Sequence, residues 1–384
     1  MSILGVVAEY DPFHNGHLHH LRLSMESVSP SAVLVALSGP FKQRGEPALF
    51  SPFVRAECAL ASGADAVFAI PVLWTVRDAE HYALGTVSML SSLGVTHLAF
   101  GAETADLSLL QRTADLLEDS PVFLREALHA ALAAGKGYPA ALAEAAGACI
   151  PESRPLLDHA NNILAVCYLR AIRRLGLSLI PVIVSRTGGY HSDYVDPVCP
   201  SASAVRDSLC RGSWEALCAL PEVSVSSVRA AFLSGEIPDS VRLDTILLEK
   251  LRSMTPEQAS SLPDCTEGLG TALLNAAARA DSRKELISAL TTRRYSSARI
   301  SRLCTYAMLG VTKSRLESAP LPSAALLLAI KKNPSLTGSW KNSPVRVLSA
   351  SGWQQYADPE DLAAWRLWSH ACRLSLSYPF TRKI

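Results

Sequence analysis

The first 190 residues alternate short, almost wholly apolar runs with stretches of helical periodicity, and this limits the possible folds more than any other feature of the chain. ILGVVAEY (3–10), SAVLVALS (31–38), DAVFAIPVL (65–73), VTHLAFGAE (95–103) and LSLIPVIVSR (177–186) are short for helices and too continuously apolar for strands wet on one face. Between them, SPFVRAECALASG (51–63, ended by Gly63), TADLSLLQRTADLLED (104–119) and NNILAVCYLRAIRRLG (161–176) place apolar residues at helical spacing. Buried strands separated by helices predict an α/β fold, a Rossmann-like doubly wound parallel sheet covered on both faces. Ligands of such sheets bind beyond the carboxyl ends of the strands, where the strand order reverses. His14, Ser38, Gly101 and Arg186 all fall at or just past such an end.

After about residue 210 the strands stop. SSVRAAFLSGEI, SVRLDTILLEKLRSM, GLGTALLNAAARA and SRKELISAL are Leu/Ala-rich at helical spacing, and only the run ALLLAI (325–330) interrupts a Pro/Gly/Ser-punctuated end. With 384 residues, more than one core usually holds, the chain is expected to divide into a Rossmann-like domain (1–210) and a mainly helical domain (211–384). From Asp281 onward there are 16 basic and 6 acidic residues, against 20 and 29 before it. A basic end on an acidic body suits a polyanionic partner, though a solvated basic surface gives the same count. No apolar run reaches the roughly 20 residues of a membrane helix, and the N-terminus enters a strand without a signal-peptide pattern. Nine scattered cysteines with no CxxC pair read as reduced thiols in a cytoplasmic protein.

The chemistry concentrates behind the first strand, in EYDPFHNGHLHHL (9–21). His14 and His17, three apart with Gly16 between, can face one ligand from the first turn of a helix. Helix N-termini attract anions, and imidazoles there can hydrogen-bond a phosphate that gains charge during displacement at phosphorus. Gly16 permits close approach to the backbone. Zinc held by His14, His17, His19 and His20 is the rival, but neither cysteine nor paired carboxylate stands nearby to complete a set. In SGPFKQRGEP, Lys42 and Arg44 sit in a turn-rich loop as groups for pyrophosphate or RNA phosphates, or as solvated charges. Gly101 leaves room for a base or ribose, or is a turn glycine. Of Asn161 and Asn162, one is expected to cap the helix and the other to read a nucleotide. Arg186 ends the fifth strand. Ser201 or Ser203 caps a helix whose start, with Arg206 one turn in, suits β- and γ-phosphates. RRYSSARISR interleaves Arg293, Arg294, Arg299 and Arg302 with Tyr295, a set for RNA phosphates and one stacked base, or a solvated basic helix.

These stretches carry a resemblance. EYDPFHNGHLHHL is similar to the HxGH motif of the nucleotidyltransferase superfamily, and more closely to the opening motif of bacterial tRNA(Met) cytidine acetate ligases. SGPFKQRGEPALF (38–50), HANNILAVCYLRA (159–171), SRTGGYHS (185–192) with SASAVR (201–206), and more weakly EGL (267–269) and RRYSSARISRL (293–303) resemble further motifs of that family. The family usually has Asn where this chain has Asp11, Gly where it has Ala165 and Pro where it has Ala160, and the match fades after Pro320. The resemblance implies that ATP and acetate form acetyl-AMP and pyrophosphate, and that the acetyl group passes to N4 of the wobble cytidine of elongator tRNA(Met). It implies catalytic roles for His14, His17, Lys42 and Arg44, and Mg2+ arriving with the triphosphate. An ATP site would comprise Val7, Ala8, Glu9, Tyr10, Asp11, Pro12, Phe13, His14, Asn15, Gly16, His17, His20, Gly101, Asn161, Asn162, Arg186, Ser201, Ser203 and Arg206. Arg293, Arg294, Tyr295, Arg299 and Arg302 would hold tRNA. No protein metal site and no membrane partner are expected. Two alternatives stand beside it: a nucleotidyltransferase adding AMP or CMP to a small phosphorylated acceptor, which uses the HNGH rim but has no need of the basic C-terminal third, and a non-catalytic RNA-binding protein with a degenerate nucleotide fold.

Overall fold

A computed structural model describes residues 2–185, 196–197, 200–332 and 334–374. The five expected strands form β1 (Ile3–Ala8), β2 (Ala32–Ser38), β3 (Ala66–Ile70), β4 (His97–Ala102) and β5 (Ile180–Ser185). They pair in parallel in the order β5-β4-β1-β2-β3, so the strand order reverses between β1 and β4. The carboxyl ends of those two strands therefore border the crevice such sheets use for ligands. Both faces are covered. Along β2, Leu34 and Ala36 join one apolar core, packed with Val87, Leu110 and Tyr168; Val33, Val35 and Leu37 join the other, packed with Leu21, Phe50 and Phe53.

The strands do not stop at residue 210. β6 (Ala324–Ile330) runs antiparallel beside β3, and β7 (Arg346–Leu348) runs parallel beside β6, giving a seven-stranded sheet. The apolar run at 325–330 is thus a strand. Its partner β3 lies some 250 residues earlier, a pairing that local periodicity does not register. The rest of the second half is helical, including Ser240–Arg252, Leu269–Ala277, Arg283–Leu290, Ser297–Leu309 and Pro359–Ala371. Among the described residues no helix is long and apolar enough to cross a membrane.

Candidate active site

Beyond β1 the chain turns sharply: Tyr10 takes a left-handed φ of 47°, the Asp11–Pro12 peptide is cis, and the helix Asn15–Val28 begins with His14 as its N-cap. His14 is buried, and its ring stacks on that of His17 with centroids 3.6 Å apart. The His17 ring also lies 4.9 Å from Tyr10 and 5.8 Å from Phe13, which fix it from below. The His14 backbone N–H donates to His17 Nδ1 at 3.2 Å. A neutral His17 therefore carries its proton on Nε2. A Cβ at Gly16 would come within 3.0 Å of His14 Cε1, so this glycine makes room first of all for the His14 ring. Asn15 Nδ2 donates to the carbonyls of Pro197 and Cys218 at 2.8 and 3.2 Å, tying the helix start to the segment after β5. Val7, Ala8, Glu9 and His20 are half-buried around this turn, while Pro12 and Phe13 are buried and His19 is exposed.

Asp11 lies under the SGPFKQRGEP loop. Its carboxylate accepts from the N–H of Leu49 at 2.8 Å and of Phe50 at 3.1 Å, and stands 3.4 Å from Lys42 Nζ and 4.0 Å from Arg206 Nε. Burial alone would raise its pKa, but Lys42, Arg206, Arg55 and the Leu49 N–H together hold it below the ordinary carboxylate value. Lys42 is only 4% exposed and also pairs with Glu46 at 2.8 Å, so it is a buried, ion-paired cation and not a solvated loop charge. Arg44 points outward and is exposed. Arg55 was not singled out by sequence reasoning, yet it is fully buried and donates to the carbonyls of Glu9, Gly39 and Phe50, fastening the ends of β1 and β2 to the loop. Its signal was an arginine on the buried side of the helix Pro52–Ala61, whose other charged residue, Glu57, is exposed. Glu9 accepts from the Gln43 N–H at 2.8 Å.

Across the crevice, Gly101 is extended within β4 and is no left-handed turn residue. His159, and neither asparagine, is the N-cap of the helix Ala160–Arg174. Asn162 is fully buried: its Oδ1 accepts from the N–H groups of Glu103 and Thr104 at 2.9 and 3.0 Å, and its Nδ2 donates to Thr104 Oγ1 and the Leu156 carbonyl. Its amide thus holds the turn that follows β4. Asn161 is half-buried and donates to Glu103 Oε1 at 2.6 Å. Ser201 caps the helix Ala202–Cys210, accepting from the Ala204 N–H at 3.1 Å, and its hydroxyl lies 3.2 Å from that of the exposed Ser203. Arg206, half-buried, donates to the Asp11 carbonyl at 2.7 Å, which brings this helix to the β1 turn. Arg186 lies outside the described residues.

The basic segment divides. Arg293 and Arg294 are exposed, Arg294 paired with Glu267. Tyr295 is half-buried, with Arg299 over its ring at 5.0 Å. Arg299 donates twice to the Asp264 carbonyl, and the buried Arg302 approaches Asp264 Oδ2 at 3.5 Å, so these two clamp the helix Ser297–Leu309 to the 264–266 turn. The 264–266 turn is distant in sequence, and spacing alone does not distinguish such clamps from a free basic face. Among the described residues, no group of three His, Cys, Asp or Glu is gathered as a metal site.

Residues 1–363 match the family model described as HIGH Nucleotidyl Transferase. The chain is 37% identical over 337 residues to a tRNA(Met) cytidine acetate ligase of Syntrophotalea carbinolica, covering 86% of this chain and 79% of that one. It belongs to the tRNA(Met) cytidine acetate ligase family. Another member of this ligase family, from Thermoanaerobacter sp., is 31% identical over 91% of this chain and 88% of its own. The crystal structure of apo Thermotoga maritima TmcAL is similar with a TM-score of 0.91 at 27% identity, covering 97% of this chain and 95% of that chain. The same protein bound with alpha-thio ATP gives a TM-score of 0.89 at 28% identity, covering 96% and 94%. The seven-stranded sheet and the helices around it are thus the architecture of these ligases, and the chain is an enzyme of this ligase class.

Proposed function

We propose that the chain activates acetate with ATP and transfers the acetyl group to N4 of the wobble cytidine of elongator tRNA(Met). An acetate oxygen attacks the α-phosphorus of ATP; the bond to the β-phosphate oxygen breaks and pyrophosphate leaves, giving acetyl-AMP. The cytidine N4 amine then attacks the acetyl carbonyl, loses a proton, and AMP departs. The observation that supports this most is the turn beyond β1, where the stacked His14–His17 pair follows Asp11, whose carboxylate and carbonyl hold the buried Lys42 and the half-buried Arg206. Acetate and triphosphate are both anions, so the chief task is to gather them and stabilise charge growing at phosphorus. On this reading His17 Nε2–H donates to the α-phosphate, and Lys42 and Arg206 supply positive charge. Acetate is already ionised at neutral pH, so the first step needs no general base. Gly101 and Asn161 shape the nucleoside side, and the capped start of Ala202–Cys210 suits the outer phosphates. Mg2+ would arrive with the triphosphate, held by its oxygens and water. RNA would lie on the exposed Arg293–Arg294 segment, which belongs to the basic, mainly helical part of the chain (211–384), with residues 1–210 as the catalytic part. A cytoplasmic site of action follows from a tRNA substrate.

The test is pyrophosphate release with ATP and acetate, with and without bulk bacterial tRNA, followed by mass spectrometry of the tRNA nucleosides. Acetate-dependent release and N4-acetylcytidine are expected; His17→Ala should lose at least about 100-fold in rate while still binding tRNA. Release independent of acetate, with no modified nucleoside, would overturn the proposal and point to a small phosphorylated acceptor. A fully active His17→Ala would refute the phosphate role of the histidines.

A further inference from the structure

The loop that carries Lys42 is held on two sides. On the inner side Asp11, Arg55 and Glu9 grip it from β1 and the helix Pro52–Ala61. On the outer side its backbone carbonyls are taken by residues some 240 to 320 positions later in the chain. Arg283 Nη2 and Thr305 Oγ1 both donate to the Gly45 carbonyl, the arginine at 2.8 Å, and Trp368 Nε1 donates to the Ala48 carbonyl at 2.8 Å. Arg283 is in turn fixed against the helix Ser297–Leu309, donating to the Ser301 carbonyl at 2.8 Å and hydroxyl at 2.9 Å. Gly45 has a φ of 80°, and a Cβ there would stand 2.8 Å from Arg302 Cα, so the loop tip lies directly on that helix. Behind the tip the turn is closed on itself: the Gly45 N–H donates to the Lys42 carbonyl and the Lys42 N–H to the Glu46 carbonyl, both at 2.8 Å. A displacement of Gly45 is therefore passed to Lys42 through two backbone bonds.

We infer that Arg283 is a positioning residue for the ligase reaction: by holding the Gly45 carbonyl against the helix Ser297–Leu309, it sets the place of Lys42 at the phosphate crevice. The inference rests on the reading of Lys42 as a phosphate-binding cation. Arg283 touches no reacting atom in this account and acts only through the loop. Its length does what a shorter side chain cannot: the two hydrogens of Nη2 are shared between the loop-tip carbonyl of Gly45 and the Ser301 carbonyl and hydroxyl. The helical half of the chain thereby completes a site whose catalytic side chains all come from the first 210 residues.

The experiment measures acetate-dependent exchange of labelled pyrophosphate into ATP by the full-length protein and its variants. Arg283→Gln should lower kcat about tenfold and raise KM for ATP, with thermal unfolding and tRNA affinity close to wild type; Arg283→Lys should recover part of the loss. Thr305→Val keeps the volume and removes the second donor to Gly45, and should lower kcat about threefold. It decides the matter if Arg283→Gln does not fold. Folded Arg283→Gln and Thr305→Val proteins with wild-type kcat and KM would overturn the inference, as would a loss in Arg283→Gln explained wholly by a lower unfolding temperature. Lys42→Ala is run alongside: if it exchanges at the wild-type rate, the phosphate-binding reading falls and this inference with it, whereas an inactive Lys42→Ala beside unchanged Arg283 and Thr305 variants removes the positioning role alone.

Discussion

Replacing Asp11 with alanine should expose how much of the site depends on one buried carboxylate. The substitution deprives the buried N–H groups of Leu49 and Phe50 of their shared acceptor and takes from Lys42 one of its two partners. Each buried N–H left unpaired costs about 1–3 kcal/mol, and breaking a buried ion pair about 3–5 kcal/mol. Lys42 keeps Glu46 at 2.8 Å and the effects overlap, so the net loss expected is about 4 kcal/mol. Asp11→Asn retains an oxygen for the two N–H groups but loses the charge and turns an NH2 donor toward Lys42, for a somewhat smaller loss of about 3 kcal/mol. Urea unfolding followed by tryptophan fluorescence at pH 7 measures both. The pH dependence adds a second check. The folded-state pKa of Asp11 lies below its unfolded value, so its stabilisation is complete above about pH 4 and is lost as pH falls through the lower, folded value. The gap between wild type and Asp11→Ala should therefore narrow as the solution is made more acidic than pH 4. A gap below about 1 kcal/mol at pH 7, or one that widens in acid, would refute the view that this carboxylate anchors the loop.

Two further outcomes are expected. Changing Arg293 and Arg294 together to glutamine should weaken tRNA binding across sequences and reduce the slope of log K against log salt by up to about 2, since each freed phosphate contributes about 0.7–0.9; an unchanged slope places the RNA elsewhere. Asp361, fully buried, accepts the Val72 N–H at 2.7 Å, and burial pushes its pKa up to about 8. Its neutral form is favoured by folding, so its contribution is full below its ordinary value and is lost as pH rises toward 8. Asp361→Asn should flatten the fall in stability between pH 5 and 8, and an unflattened curve would show that the carboxyl does not titrate there.

Within the candidate site, the residues fall into those visible locally and those that are not. HNGH announces itself because a turn after a strand, a capped helix start and two imidazoles three apart are all local facts. Lys42 is visible as a residue type, but its burial beside Asp11 is not, because the carboxylate lies 31 positions earlier and reaches it only through the β1–β2 pairing. The Asn161–Asn162 pair offers one cap and one nucleotide reader without saying which is which, because an asparagine at a helix start can serve several ends; the cap is His159, and the bonds of Asn162 to the backbone of residues 103 and 104 are formed across the fold. Arg299 and Arg302 share the spacing of a phosphate-binding face with Arg293 and Arg294, and only the position of Asp264 separates clamp from open surface.

By itself the sequence determined the parallel sheet, its covered faces and the rim where a ligand belongs, since apolar run length and helical period are properties of consecutive residues. It also determined the histidine pair and, by resemblance, the ligase family. The tertiary structure alone decided that β6 returns from the far end of the chain to pair with β3, that Arg55 and Asp11 lock the loop from within, and that Arg283, Thr305 and Trp368 hold it from without. Those contacts join residues tens to hundreds of positions apart. Their partners are mostly backbone carbonyls and N–H groups, which every residue carries and no side-chain pattern marks.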